Sequence, residues 1–171
     1  MSRLFIIISL AILLARCNQI GEWKHSKGIE KPKVNFYAAN FQLPDSTGTY
    51  RDFYRHLSQA NILDFWASWC RPCRESANPY YQKLYIKYHK RGLNIFGVSG
   101  DRHQYFWKQA LEQDRIPWIN TIDSTHLIYK RFEIKSIPKM FLIDSKGKII
   151  GINLWGENLE KKIDSMLAET N

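Results

Sequence analysis

Apolar and polar positions follow two different periods along this chain, and the changes of period mark its elements. Residues 61–67 form an almost unbroken apolar run of strand length, and so does Leu93 to Ser99, as central parallel strands do. Between them Tyr81, Leu84, Tyr85 and Tyr88 recur at i, i+3, i+4 and i+7. That spacing predicts a helix from Cys73 to Gly92, kinked at Pro79. A second helix is expected over 103–114, with Phe106, Trp107, Ala110 and Leu111 on its apolar face. A short strand or extended segment over 116–122 follows, broken by Pro117, and then a helix near 125–132. Met140 to Ile143 and Lys148 to Ile152 read as an antiparallel hairpin, with Gly147 where its turn needs φ > 0. The last helix, 157–169, gathers Leu159, Ile163, Met166 and Leu167 on one side. Upstream, Val34 to Leu43, the turn Pro44-Asp45-Ser46-Thr47-Gly48 and Tyr50 to Leu57 lead into the first central strand. No internal repeat or low-complexity stretch interrupts the order.

The N-terminus departs from this pattern. Met1-Ser2-Arg3 is a basic start, and Leu4 to Ala15 is continuously apolar for about a dozen residues. A bilayer span needs about 20, so this is the length of a signal-peptide core. Its ending, Leu14-Ala15-Arg16-Cys17, resembles the lipobox of bacterial lipoproteins, except that Arg16 stands where that pattern has a small residue. The resemblance implies a lipid anchor on Cys17; the alternatives are ordinary signal cleavage, giving a soluble periplasmic or secreted protein, and an uncleaved anchor. Residues 18–33 are polar, with Gly21, Gly28 and Pro32, and read as a flexible linker. One domain, 34–171, remains.

Of the 171 residues 44% are hydrophobic, enough for one good core. The formal charge is +9, from 25 basic and 16 acidic residues spread along the chain. Lys83, Lys87, Lys90 and Arg91 follow helical spacing and read as a solvated face. No nucleic-acid module is recognisable, so nucleic acid is not an expected partner.

The chemistry lies at Trp69-Cys70-Arg71-Pro72-Cys73, directly after the first central strand. A C-x-x-C that opens a helix makes a reactive thiol pair, because the N–H groups and partial positive charge of the helix N-terminus favour the thiolate at Cys70. Pro72 suits the first helical turn, where a missing N–H costs nothing. The spacing lets the sulfurs bond while Cys70 stays near the surface and Cys73 is shielded behind it. Half of a zinc site is the competing reading. Zinc normally takes four N or S ligands; the third cysteine is Cys17, and histidines 25, 56, 89, 103 and 126 are scattered singly.

Asp64-Phe65-Trp66-Ala67-Ser68-Trp69-Cys70-Arg71-Pro72-Cys73 resembles the active-site segment of the thioredoxin superfamily, and Ser136-Ile137-Pro138-Lys139-Met140-Phe141 resembles its second signature. The resemblance spans residues 34–169. It implies an α/β thioredoxin-like fold with an N-terminal β-hairpin extension and a cis bond at Ile137–Pro138, beside the sulfurs. The long stretch between Cys73 and Pro138 is similar to the helix–strand insertion of exported oxidoreductases of the TlpA and ResA type. Asp64 falls where thioredoxins carry a buried acid that takes the proton of the second cysteine; the competing reading is a strand-edge carboxylate satisfied by solvent. Trp66 and Trp69 are core and rim aromatics or a docking patch. Arg71 is expected to favour the Cys70 thiolate by proximity, and His103 and His126 to be surface residues.

The resulting expectation is an exported, lipid-anchored thiol–disulfide oxidoreductase that reduces client proteins. Cys70 would attack and Cys73 resolve, without cofactor or metal, as a monomer reset by a membrane electron donor. Oxidase or isomerase action, a peroxiredoxin-like peroxidase, a metal-binding assembly factor and a non-catalytic binding module are the alternatives. A peroxidase would want T-x-x-C, whereas Ala67-Ser68-Trp69-Cys70 lacks the threonine. A copper factor would want C-x₃-C.

Overall fold

A computed structural model describes residues 32–168; the signal segment, Cys17 and nearly all of the linker lie outside the described residues. A small antiparallel hairpin, β1 (Gln42–Pro44) and β2 (Tyr50–Asp52), comes first. Asp45 shapes its turn, accepting bonds from Thr47 N (2.8 Å), Thr49 N (3.0 Å) and Arg51 Nε (2.7 Å). The main sheet follows, built from β3 (Ala60–Trp66), β4 (Leu93–Ser99), β5 (Ile119–Ile122), β6 (Lys139–Asp144) and β7 (Ile149–Ile152). Its order is β5-β4-β3-β6-β7; β3, β4 and β5 are parallel, and β6 and β7 are antiparallel to their neighbours. β3 is central and buried along its whole length, which is why it reads as a continuous apolar run.

Side chains alternate across β3 with the strand period of two. Ala60 and Ile62 face α1 (Asn78–Tyr88) and α4 (Gly156–Ala168), packing with Tyr81, Leu84, Tyr88, Leu159 and Ile163. Leu63 and Phe65 face the other way, toward Phe41, Phe53, Phe132 and Phe141. A third cluster closes one end of the sheet: Trp66, Ala67, Cys70 and Cys73 with Trp107 and Ala110 of α2 (Gln104–Gln113). A short helix, α3 (Leu127–Arg131), precedes β6, and the buried Asp123 caps it by accepting from Ile128 N and Tyr129 N, both at 2.8 Å.

The expected elements are present, with instructive differences. The active-site helix is not uniform: a π-helical turn, Cys73–Ala77, precedes α1, and the Asn78 N–H reaches back five residues to Cys73 O. The irregularity expected at Pro79 thus falls in the turn before it, and Pro79 sits in the first turn of α1, where no donor is needed. The regular helix ends at Tyr88, a 3₁₀ turn carries the chain to Arg91, and Gly92 stops it at φ 107°. β5 begins at Ile119, two residues beyond Pro117, which has no N–H to give to a ladder. Phe106, expected on the buried face of α2, is 56% exposed. It stands about 100° round the helix from Trp107, and the buried stripe holds only Trp107 and Ala110. Tyr85 is likewise only partly buried. The basic face of the active-site helix is less free than expected, because Lys87 pairs with Glu160 (2.6 Å) and Arg91 with Asp164 (3.1 Å) on α4.

Candidate active site

The site forms where β3 ends. Its last residue, Trp66, pairs with Ser99 at the end of β4, so two parallel strands deliver their C-terminal ends to one place. Cys70 and Cys73 are joined in a disulfide, with S–S 2.05 Å and Cα atoms 5.3 Å apart. Cys70 is 4% exposed and Cys73 fully buried, and the Cys73 N–H points at Cys70 Sγ at 3.3 Å. That N–H is one of the free donors at the start of the helix, and it stabilises negative charge on the same sulfur once the disulfide opens. The Ile137–Pro138 bond is cis, and Ile137 packs against the cluster that holds both sulfurs.

Asp64 lies in β3 between Gly97 of β4 and Met140 of β6, 1% exposed. Its Oδ1 has no hydrogen-bond partner. Burial pushes this carboxyl up to about 8, so near neutrality it exchanges protons instead of standing as a fixed charge. The solvent-satisfied reading of Asp64 does not fit such a position. Trp69 is 70% exposed. Arg71 is also exposed, and its guanidinium is held by Glu75 one turn on, Nε–Oε2 2.8 Å, so its charge is shared with a carboxylate. Pro72 is helical at φ −62°, ψ −32°. Beside Trp69 runs a groove of about 600 Å³ lined by Ser68, Arg102, His103, Phe106 and Gln113. His126 is half-buried and bonded to Gly100 O at 2.7 Å, while His103 is exposed.

Comparison with known proteins places this geometry. The family model described as "AhpC/TSA family" matches residues 34–152. The chain belongs to the AhpC/TSA family. Its relatives include, among others, two proteins named thiol-disulfide oxidoreductase ResA. The one from Bacillus cereus is 30% identical over 140 residues, 82% of this chain and 80% of its own. The one from Bacillus thuringiensis is 28% identical over 167 residues, 96% and 95% of the two chains. Among solved structures, the thioredoxin domain of a thiol-disulfide oxidoreductase from Bacteroides vulgatus matches with a TM-score of 0.73 at 26% identity. The match covers 80% of this chain and 99% of that one. A thiol-disulfide oxidoreductase from Bacteroides fragilis gives a TM-score of 0.68 at 29% identity, covering 77% and 99%. This AhpC/TSA member is a thiol–disulfide oxidoreductase of thioredoxin-like fold with a Cys70–Cys73 pair.

Several residues that build the site carry no motif. Asp101, 3% exposed, accepts from Ser68 N (2.8 Å), Ser68 Oγ (2.6 Å) and Ser99 Oγ (2.6 Å), pinning the loop in front of Cys70. The Tyr129 O–H donates to Trp66 O at 2.6 Å and ties α3 to the end of β3. Trp66 Nε1 donates to Asn120 Oδ1 at 2.8 Å. Asn120 fits there because Gly97 has no Cβ; a methyl group at 97 would collide with the Asn120 amide. The one available signal was position, since Asp101 lies two residues past a central parallel strand, where α/β sheets place their sites. Among the described residues no cluster of His, Cys, Asp or Glu is arranged to hold a metal ion, and no helix is long and apolar enough to cross a membrane.

Proposed function

We propose that this protein is an exported, lipid-anchored reductase of client-protein disulfides. The observation that carries the reading is the Cys70–Cys73 pair at the end of β3, with the buried, proton-exchanging Asp64 on the same strand. In the reduced enzyme the Cys70 thiolate attacks one sulfur of a client disulfide, and the other client sulfur leaves with the electron pair and is protonated. Asp64 then takes the proton of Cys73, and the Cys73 thiolate attacks Cys70 Sγ. That step breaks the mixed disulfide, releases the second client thiol and leaves Cys70–Cys73 oxidised. Trp69 and Phe106 offer apolar surface for the client chain, and Ile137, at the cis Ile137–Pro138 bond, packs against the cluster that holds the sulfurs.

No cofactor takes part in these steps. The oxidised pair must receive two electrons from a donor, which for an exported enzyme is a membrane carrier. Residues 1–17 act as the signal segment with Cys17 lipidated, 18–33 as the tether and 34–171 as a monomeric catalytic domain, so the protein works in the periplasm on a bacterial membrane. The reduction potential of the Cys70/Cys73 couple tests the direction. A value near about −270 mV supports a reductase, whereas one near about −120 mV makes the enzyme an oxidase.

A further inference from the structure

Cys73, Ala77 and Tyr81 fall at four-residue intervals along the active-site helix, and all three are fully buried. This stripe meets the side of β3 that carries Ile62, Asp64 and Trp66. Ile62 packs in one cluster with Ala77 and Tyr81, and Trp66 in another with Cys73. Asp64, between Ile62 and Trp66, therefore lies beneath the stretch from Cys73 to Tyr81. Asp64 Oδ1 and the Tyr81 hydroxyl are both buried without a hydrogen-bond partner. Buried polar atoms nearly always have partners, so two orphans on facing elements point to a bond made in another state. Their proximity shows in the electrostatics: after burial itself, the Asp64 charge is the next cause holding the Tyr81 phenol protonated.

Other titratable groups around Asp64 do not compete for this role. Its cross-strand neighbours, Gly97 and Met140, carry no titratable group. Tyr129 of α3 feels the Asp64 charge, but its O–H is committed to Trp66 O and Val98 O. On the helix stripe that covers Asp64 the titratable groups are Cys73 and Tyr81. We propose that Tyr81 is the positioning residue of the resolving step: its phenol O–H closes onto the Asp64 carboxylate in the reduced enzyme, holding it ionised and ready for the Cys73 proton. The inference rests on the acid–base role proposed above for Asp64. When Cys73 gives up its proton, Asp64 becomes neutral and the Tyr81 bond weakens. The thiolate attacks Cys70 Sγ, the Cys70–client bond breaks, and the client sulfur leaves with the electron pair. A donor bonded to a carboxylate favours its charged form, so loss of the phenol leaves Asp64 holding its proton to higher pH.

Two measurements test this on the reduced full-length domain-bearing protein: titration of the ¹³C-labelled Asp64 carboxyl by NMR, and the rate at which Cys73 resolves a Cys70–peptide mixed disulfide. In Tyr81→Phe the carboxyl midpoint rises by about one pH unit, and resolution below that midpoint slows about tenfold. Difluorotyrosine placed at position 81, a stronger donor of nearly the same shape, moves the midpoint down. In an Asp64→Asn background Tyr81→Phe has no further effect on resolution. An Asp64 midpoint that ignores both changes at position 81, or equal slowing with and without Asp64, overturns the inference and leaves the role of Asp64 standing. Resolution unaffected by Asp64→Asn overturns both.

Discussion

Arg74 and Asp114 meet through two parallel hydrogen bonds, Nη2–Oδ1 at 2.6 Å and Nε–Oδ2 at 2.9 Å. The pair joins the residue after Cys73 to the residue that follows α2, and Asn78 Nδ2 adds a third bond to the same carboxylate at 3.3 Å. Both side chains are largely shielded, at 28% and 15% exposure, so the pair holds the π turn against α2 instead of lying loose on the surface.

This pair should matter more than the exposed ion pairs. Asp114→Ala is expected to cost about 1–3 kcal/mol in urea unfolding, because it leaves the partly buried Arg74 guanidinium without a carboxylate to balance its charge. Lys161→Ala, which removes an exposed pair with Glu157, should cost well under about 1 kcal/mol. Equal effects of the two substitutions would reduce Arg74–Asp114 to a surface contact.

The order of attack proposed for the two cysteines follows from position. Cys70 is the sulfur nearer the surface and the one that receives the Cys73 N–H. Cys73→Ser should therefore accumulate reductant-sensitive covalent adducts with clients, seen as shifted bands on non-reducing gels, while Cys70→Ser should accumulate none. The reverse pattern would exchange the two roles.

How much of this was legible in the sequence depends on how local each signal is. The β3 run, the C-x-x-C that follows it and the Ile137–Pro138 turn are contiguous patterns, and each appears where expected. The cis geometry came from family resemblance, not from spacing. Residues that assemble the site across the chain left no such trace. Ser68 and Asp101 are 33 positions apart, Arg74 and Asp114 are 40, and Trp66 and Tyr129 are 63. A polar residue near a helix or strand end looks the same whether it faces solvent or clamps a loop. Phe106 shows the converse limit: helical spacing locates an apolar stripe only to within about one residue, which is about 100° of helix. The π turn also escaped the periodic pattern, since one extra residue in a turn shifts the helix face without changing its composition.

The role proposed for Asp64 sets catalysis against stability, and pH separates the two. Its folded-state value of about 8 lies above the ordinary 3.8, so the native state binds the proton more tightly than the unfolded chain. Its contribution therefore favours folding below about pH 4, declines as pH rises toward 8, and is constant above that. The slope approaches about 1.4 kcal/mol per pH unit in that window. Asp64→Asn should flatten this decline in urea unfolding measured from pH 4 to 8, gaining on wild type at the alkaline end. The same variant should slow resolution of the mixed disulfide by about 10²–10⁴-fold, with far less effect on the initial attack by Cys70. Parallel pH–stability curves for the two proteins would show that Asp64 is not held protonated by burial.

The address proposed for the enzyme rests on Cys17, which the sequence places at the end of a short apolar core with a basic start. A single acyl chain gives only marginal membrane binding, so stable anchoring requires the two or three chains that a processed lipoprotein cysteine carries. The mature protein is therefore expected in the membrane fraction, with a lipid-modified Cys17 as its first residue by mass spectrometry. Cys17→Ser should release it or leave it unprocessed, with the Cys70/Cys73 chemistry intact in either case. An unmodified N-terminus downstream of Cys17 would mean ordinary signal cleavage and a soluble exported enzyme. Arg16 would then be the reason, because a long cationic side chain replaces the small residue that the lipobox pattern has beside its cysteine. A second substitution, Arg16→Gly, tests that explanation directly: it should restore lipidation if Arg16 alone blocks it, and leave the soluble form unchanged if the rest of the segment is at fault.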